Sequence, residues 1–382
     1  MSSSVCRRLS GLFATAAKPT TTTTTTTTAL TTTTRDETLL GLVAKFKKSS
    51  DSDRFRRNQK FYLKTVSRLA LANKYSLVDE ILQHQKQYPT ITKEGFTAFL
   101  VTLYGKAGMF DHARKLFDEM PDLKCERTVM SFNALLSACV NSKRFETVGE
   151  LLCELPDKLS IRPDTVSYNT VVKAFCKMGS FDSALAVLSE MEKSGVEPDL
   201  VTFNTLLDAF YKNDMFEEAE KAWGLMREKN FVPIGRTYNP KIRALVKGNR
   251  IPEAVEVFKE MGSKGVTPDL FTFTALIKGF CDEGNSEAAK IWYKEMRKND
   301  CFPDSVTLEI LVNCACKEGD FEFALGLCKE GSERRCYVGT MIGQRVVNGL
   351  VEVSKVEEAK ELVELYNSIS YFRKYKLEMP SE

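Results

Sequence analysis

Five prolines, Pro163, Pro198, Pro233, Pro268 and Pro303, fall 35 residues apart every time. Four are followed by an aspartate (Asp164, Asp199, Asp269 and Asp304) and the fifth by Ile234. A fixed period in this range marks a stacked array, because each unit is a supersecondary element too small to bury its apolar face alone.

Residues 200–234 show what is repeated. Phe203, Leu206, Leu207 and Phe210 follow the i, i+3, i+4, i+7 spacing of one helix face. Thr202 stands where a capping hydroxyl is expected, and Ser131, Ser167, Thr237, Thr272 and Thr307 hold the same place in other units. The triplet KND then interrupts the pattern, as KMG, KGN, DEG and KEG do elsewhere. A second helix follows on Phe216, Ala219, Trp223 and Met226. Glu217 and Glu218 lie near its positive end and Arg227 and Lys229 near its negative end, in accord with the helix dipole. A helix of ~12 residues is marginal in water on its own. Stacking must stabilise it, so the period predicts an all-α protein: a right-handed α-solenoid of 35-residue helix–turn–helix units.

The best copies are 165–199, 200–234, 235–269 and 270–304. Unit 129–164 carries one extra residue, expected in its loop, while 94–128, 305–339 and 340–374 keep the phase without the Pro-Asp pair. A weaker copy falls at 59–93, preceded by a lead-in at 35–58 and followed, after the last unit, by a tail at 375–382. Atypical outer units are what an array needs, since each end must face water.

The N-terminal stretch MSSSVCRRLSGLFATAAKPT has Arg7, Arg8 and Lys18 and no acid before Asp36. Val5, Leu9, Leu12 and Phe13 can line one helix face beside the arginines, the composition of an organellar transit peptide. The arginines favour the mitochondrion, whose matrix is then the destination, and the hydroxyl residues keep the chloroplast open. Thr20–Thr28 and Thr31–Thr34 form a low-complexity tract, so residues 1–34 are expected to be a disordered transit peptide and linker.

Several function classes drop out. The eleven cysteines form no C-x-x-C pair, and His84 and His112, the only histidines, stand far from Cys314 and Cys316. No metal site and no cofactor are therefore expected. Cys139, Cys176, Cys281 and Cys316 fall on first helices and read as reduced small hydrophobes. No apolar run reaches the ~18–20 residues that span a bilayer. Gly179, Gly248, Gly284 and Gly319 belong to turns rather than a phosphate loop, and no H-x-E is followed by a C-x-x-C. Neither catalysis nor a small-molecule substrate is expected, and with only YKLEMPSE after residue 374 no appended nuclease or editing domain is expected either.

The run VTFNTLLDAFYKNDMFEEAEKAWGLMREKNFVP, with its 35-residue phase, closely resembles the pentatricopeptide repeat of plant organellar RNA-binding proteins. The resemblance covers about 59–374, is strongest from 129 to 304, and is to the P-class with uniform units. It implies single-stranded RNA as partner, read at one base per repeat. The fifth and last residues of a unit then choose the base, giving the pairs Asn133/Asp164, Asn169/Asp199, Asn239/Asp269 and Thr274/Asp304, with Asn204/Ile234 incomplete. In that family Asn with Asp favours U and Thr with Asp favours G, so the implied core is 5′-U-U-N-U-G-3′. The second residues Val166, Val201, Arg236, Phe271 and Val306 are implied to pack on the bases. Ala98/Thr128, Glu309/Gly339 and Gln344/Lys374 match no pairing, and Pro240 directly after Asn239 is unusual at a helix start.

Lys106, Lys177, Lys212, Lys247 and Lys317 recur at the thirteenth position, interrupted by Asp282 and Glu352. Such a ladder suits backbone phosphate and explains RNA binding at a net charge of only +3. Lysine also favours a helix C-terminus for its own sake. Likewise, Asn and Pro-Asp serve as ordinary turn and cap residues wherever no base is read. Three functions fit this reading: a free organellar RNA binder acting without catalysis on mRNA stability, processing or translation; a structural RNA-binding component of the mitochondrial ribosome, holding rRNA and ribosomal proteins; and a protein-binding helical scaffold.

Overall fold

A computed structural model describes residues 11–12, 32–369 and 376–380. The transit-like segment and the threonine tract through Thr31 lie outside the described residues, apart from Gly11 and Leu12, as do 370–375. Among the described residues the regular structure is entirely helical.

Two compact units divide the chain, Met1–Ala209 and Phe210–Glu382. The first opens with α1 (Thr32–Ser49), α2 (Asp53–Arg56), α3 (Gln59–Leu71) and α4 (Tyr75–Gln83), which lead into three hairpins. These are α5 (Glu94–Lys106) with α6 (Phe110–Glu119), α7 (Val129–Asn141) with α8 (Phe145–Leu159), and α9 (Thr165–Met178) with α10 (Phe181–Lys193). Helix α11 (Leu200–Lys212) bridges the sequence boundary. The second unit continues with α12 (Phe216–Glu228), α13 (Gly235–Lys247), α14 (Ile251–Ser263), α15 (Leu270–Asp282) and α16 (Ser286–Lys298). It ends with α17 (Ser305–Glu318), α18 (Phe321–Glu333), α19 (Thr340–Glu352) and α20 (Val356–Ser368).

Within each unit, the first helix of a hairpin packs on its own second helix and on the first helix of the next hairpin: α5 on α7 and α7 on α9, then α13 on α15, α15 on α17 and α17 on α19. Each unit is thus a two-layered stack of the kind the period predicts. The turns explain the recurring triplets. Gly179, Asp214, Asn249, Gly284 and Gly319, the last residues of KMG, KND, KGN, DEG and KEG, all take positive φ, between 55° and 76°. That left-handed conformation is cheap for Gly and tolerated by Asn and Asp, and it reverses the chain after the first helix.

The predicted apolar stripe is the core: Phe203, Leu206, Leu207 and Phe210 are fully buried. Close helix approach depends on a column of small residues. A methyl group at Gly279 would meet Ile251 Cδ1 at 2.5 Å, and one at Gly349 would meet Phe321 Cε1 at 1.9 Å.

Two expectations are corrected. The extra residue of unit 129–164 is not accommodated by a longer loop. It is taken up in α8, whose 15 residues exceed the 13 of α10 and α12 and continue through Pro156 to a left-handed Ser160. The capping assignment also shifts by one turn, as the site geometry makes plain below. At the N-terminal end, α1 begins within the threonine tract and buries Leu39, Val43 and Phe46. Phe46 meets Tyr62 edge-on at 4.8 Å, and the Tyr62 hydroxyl donates to Gln85 Oε1 at 2.8 Å.

Candidate nucleic-acid interface

On a helix, positions 2, 5, 9 and 13 fall within a narrow sector of one face. In α9 these are Val166, Asn169, Lys173 and Lys177, all exposed or half-buried, while Tyr168, Val171, Val172 and Phe175 on the other side are core. The first helix of each hairpin therefore turns one face inward to pack and presents the other to a ligand.

The Asn and Asp of each full pair meet across the hairpin junction. Asn133 Nδ2 donates to Asp164 Oδ1 at 3.0 Å, Asn169 Nδ2 to Asp199 Oδ1 at 3.1 Å, and Asn239 Nδ2 to both oxygens of Asp269 at 3.1 and 3.2 Å. Pro240 leaves the Asn239 contact intact.

The aspartate, not the hydroxyl residue, is the N-cap. Asp164 Oδ1 accepts from the backbone amide of Ser167 at 3.0 Å, Asp199 Oδ1 from Thr202 at 2.9 Å, Asp269 Oδ1 from Thr272 at 3.0 Å, and Asp304 Oδ1 from Thr307 at 2.9 Å. Ser167, Thr202 and Thr272 complete capping boxes, their hydroxyls accepting from the aspartate amides. A carboxylate outcompetes a hydroxyl for this role because it brings charge to the positive end of the helix. Burial pushes the Asp199 carboxyl up, but the Thr202 amide, the Asn169 side chain, the Thr202 hydroxyl and the Val201 amide together hold it below the usual carboxylate range.

The remaining sites differ. Asn204 is buried with Oδ1 unpartnered, and Ile234, whose side chain has no acceptor, is 44% exposed. Thr274 exchanges a hydroxyl–hydroxyl bond of 2.7 Å with Thr307, and Thr307 also reaches Asp304 Oδ1 at 2.9 Å. Outside the full pairs, other groups serve the junctions. Glu94 accepts from the amides of Thr128 at 2.8 Å and Ser131 at 3.1 Å, and Glu309 from the amide of Gly339 at 2.9 Å. Gln344 is engaged by the tail, exchanging bonds with the backbone O and N of Glu378 at 2.7 and 3.0 Å.

The second-position side chains stand in solvent although most are apolar. Val166, Val201 and Val306 are each more than half exposed, Phe271 is 65% exposed, and Arg236 is exposed. Sequence reasoning missed two members of this column, Met130 and Met341, at 54% and 87% exposure. Their place in the repeat phase was the available signal, obscured because units 94–128 and 305–339, which precede them, end without a Pro-Asp pair.

Lys106, Lys177, Lys212, Lys247 and Lys317 all lie in the last turn of first helices and are exposed. Lys247 pairs with Asp214 at 2.8 Å. Lys173, one turn before Lys177, and Lys278, paired with Asp282 at 2.5 Å, are further cations of this face that sequence reasoning passed over. Among the described residues no group of three or more His, Cys, Asp or Glu is arranged to hold a metal, and no helix is long and apolar enough to cross a membrane. Burial pushes the thiols of Cys139 and Cys176 up to about 12 and that of Cys316 up to about 11.

Comparison with known proteins agrees with the repeat geometry. A sequence profile described as the PPR repeat family matches residues 163–212, 198–239, 235–282 and 270–317. A second, described as the PPR repeat, matches 99–125, 130–158 and 306–336. Two Arabidopsis thaliana relatives are small ribosomal subunit proteins. They are mS79 (rPPR3b), 52% identical over 154 residues, and mS78 (rPPR3a), 54% identical over 154; each alignment spans 40% of this chain and 39% of the relative. A third Arabidopsis relative, a pentatricopeptide repeat-containing protein labelled mitochondrial, is 42% identical over 132 residues, or 34% of this chain and 32% of that one. The chain thus spans about two fifths or less of the length of these relatives. With its 35-residue helical hairpins, its junctional Asn–Asp pairs and these repeat matches, the chain belongs to the pentatricopeptide repeat family, as a P-class member.

Proposed function

We propose that this chain is a non-catalytic, single-stranded RNA-binding protein of the mitochondrion that reads about one base per full repeat. The observation that carries this reading is the column of Asn–Asp pairs, each flanked by an exposed second-position side chain and, in most repeats, by a lysine. An amide locked at the junction offers one N–H and one lone pair to a base edge. The exposed valines and Phe271 offer an apolar surface to the base, a contact worth ~1–3 kcal/mol where a base stacks on an aromatic. The lysines offer charge to the phosphates. Asn133, Asn169 and Asn239, each with its aspartate, are the proposed U readers, Thr274 with Asp304 the G reader, and Asn204 with Ile234 a weaker pyrimidine reader. The mitochondrial setting, with the matrix as compartment, rests on the transit-like N-terminus and on the mitochondrial label of one relative.

A second reading gives this RNA binder a fixed seat in the small subunit of the mitochondrial ribosome. The identity of more than half over 40% of the chain to mS79 and mS78 favours it. One experiment tests both. The protein is crosslinked in isolated mitochondria and purified, and the attached RNA and its sedimentation are determined. Recovery of U-rich RNA outside ribosomal particles supports the free binder, and near-stoichiometric recovery of rRNA with the small subunit supports the ribosomal seat. The absence of any RNA crosslink would overturn both.

A further inference from the structure

The hydroxyl at the third position makes a contact that capping does not require. Ser167 Oγ lies 2.6 Å from Asn133 Oδ1, Thr202 Oγ1 2.5 Å from Asn169 Oδ1, and Thr272 Oγ1 2.7 Å from Asn239 Oδ1. Each hydroxyl accepts from the backbone amide of its own aspartate, at 3.2, 3.0 and 3.2 Å. A backbone N–H only donates, so the hydroxyl is left with one proton to place. Aspartate Oδ1 already accepts an Asn amide hydrogen and a backbone N–H. Each hydroxyl also stands 3.1, 2.9 and 3.0 Å from that aspartate Oδ1, but an amide oxygen can only accept, so the shorter contact to Asn Oδ1 is a hydrogen bond only with the hydroxyl as donor, and its proton goes there.

We infer that Ser167, Thr202, Thr272 and Thr307 are positioning residues that set the hydrogen-bond polarity of the base-reading side chain in the preceding repeat. This inference rests on the base-reading role proposed above. At the three Asn sites the carboxylate pulls Nδ2 to one side and the hydroxyl holds Oδ1 on the other, so rotating the amide by half a turn would break both contacts. What stays free is one N–H and one lone pair in fixed places, the complement of the N–H and C=O on a uracil edge.

At the Thr274 site the same column inverts the outcome. Thr307 faces a carboxylate and a hydroxyl, and because Thr274, unlike an amide oxygen, can itself donate, the Thr307 proton is free to go to the charged Asp304. Thr274 must then donate to Thr307, which leaves Thr274 with lone pairs only. An acceptor-only side chain suits an edge rich in N–H donors, as guanine has. The third-position hydroxyl thus donates its proton in one of two directions, depending on what stands at the fifth position.

The test uses the whole chain and RNA oligonucleotides built on UUUUG, varied one nucleotide at a time. Wild type should favour U over C at the second nucleotide, opposite Asn169 and Asp199, by about fivefold or more, the equivalent of one hydrogen bond. Thr202→Val keeps the methyl and the Asp199–amide cap but removes the hydroxyl. It should abolish that preference, leave the preferences opposite Asn133 and Asn239 in place, and be rescued by Thr202→Ser. Thr272→Val should do the same only opposite Asn239, which keeps the test open if one variant folds poorly. A merely structural role would lower affinity for all oligonucleotides alike and leave the preference at the second nucleotide, and that result would overturn the inference alone. Wild type without any base preference would overturn the base-reading role and this inference with it.

Discussion

The side-chain amide of Asn239 donates to both carboxylate oxygens of Asp269, at 3.1 and 3.2 Å, across 30 residues of chain. The same aspartate caps α15 through the Thr272 amide. One residue thus serves helix stability and the candidate reading site at once. Asp269→Ala should lower unfolding stability by ~1 kcal/mol, the usual loss for a removed N-cap acceptor. It should also erase base preference at the corresponding nucleotide. Thermal or urea unfolding and oligonucleotide titration check the two effects separately.

Phe271 stands 65% exposed at the second position of α15, where it contributes little to the core. Phe271→Ala should leave the melting temperature unchanged while weakening RNA binding by ~1–3 kcal/mol, the value of a stacked base. A melting temperature that falls with the affinity would assign the ring a structural role instead.

The lysine ladder should appear in the salt dependence. Removing Lys177 should reduce the slope of log affinity against log salt by ~0.7, the value for one single-strand phosphate contact. Lys247 should give a smaller change, because its ion pair with Asp214 at 2.8 Å must open before it can meet phosphate. Titrations at several salt concentrations distinguish the two.

Gly349→Ala should cost ~1–3 kcal/mol, since its methyl would lie 1.9 Å from the Phe321 ring in a well-packed junction. Gly224→Ala should do the opposite. Apart from the adjoining backbone of α12 itself, no atom lies within 4 Å of the place its methyl would take, so the gain in helix propensity of up to ~1 kcal/mol is realised. Urea unfolding of the two variants provides the measurement.

Stability should fall on acidification. Asp199 has a folded-state carboxyl lowered from 3.8, so its contribution is fully present above that value and is lost as pH drops through the lowered one. Glu94 behaves alike: burial raises its carboxyl, but bonds from Thr128 and Ser131 hold it below 4.5. Wild type should therefore lose stability below about pH 4.5. Asp199→Asn should flatten part of that loss, as unfolding measured between pH 6 and pH 3 (about the ordinary carboxylate range) would show.

By itself, the sequence determined the architecture. A 35-residue period with apolar residues at helical spacing admits only stacked hairpins, because neither helix can bury its stripe alone. The pairing of Asn133, Asn169 and Asn239 with their aspartates came from the resemblance to the family laid on that phase, and the folded junctions bring each pair together. Periodicity is silent about hydrogen-bond direction. Both hydroxyl and carboxylate can cap a helix, so only the folded junction decided that Asp199 caps α11 and that Thr202 turns its proton toward Asn169. The same holds for Asn204, whose buried Oδ1 lacks a partner, and for Gln344, which the tail engages through Glu378. For Thr202 and Gln344 the partner comes from more than thirty residues away, and packing alone brings it within the 3 Å or so that a hydrogen bond requires.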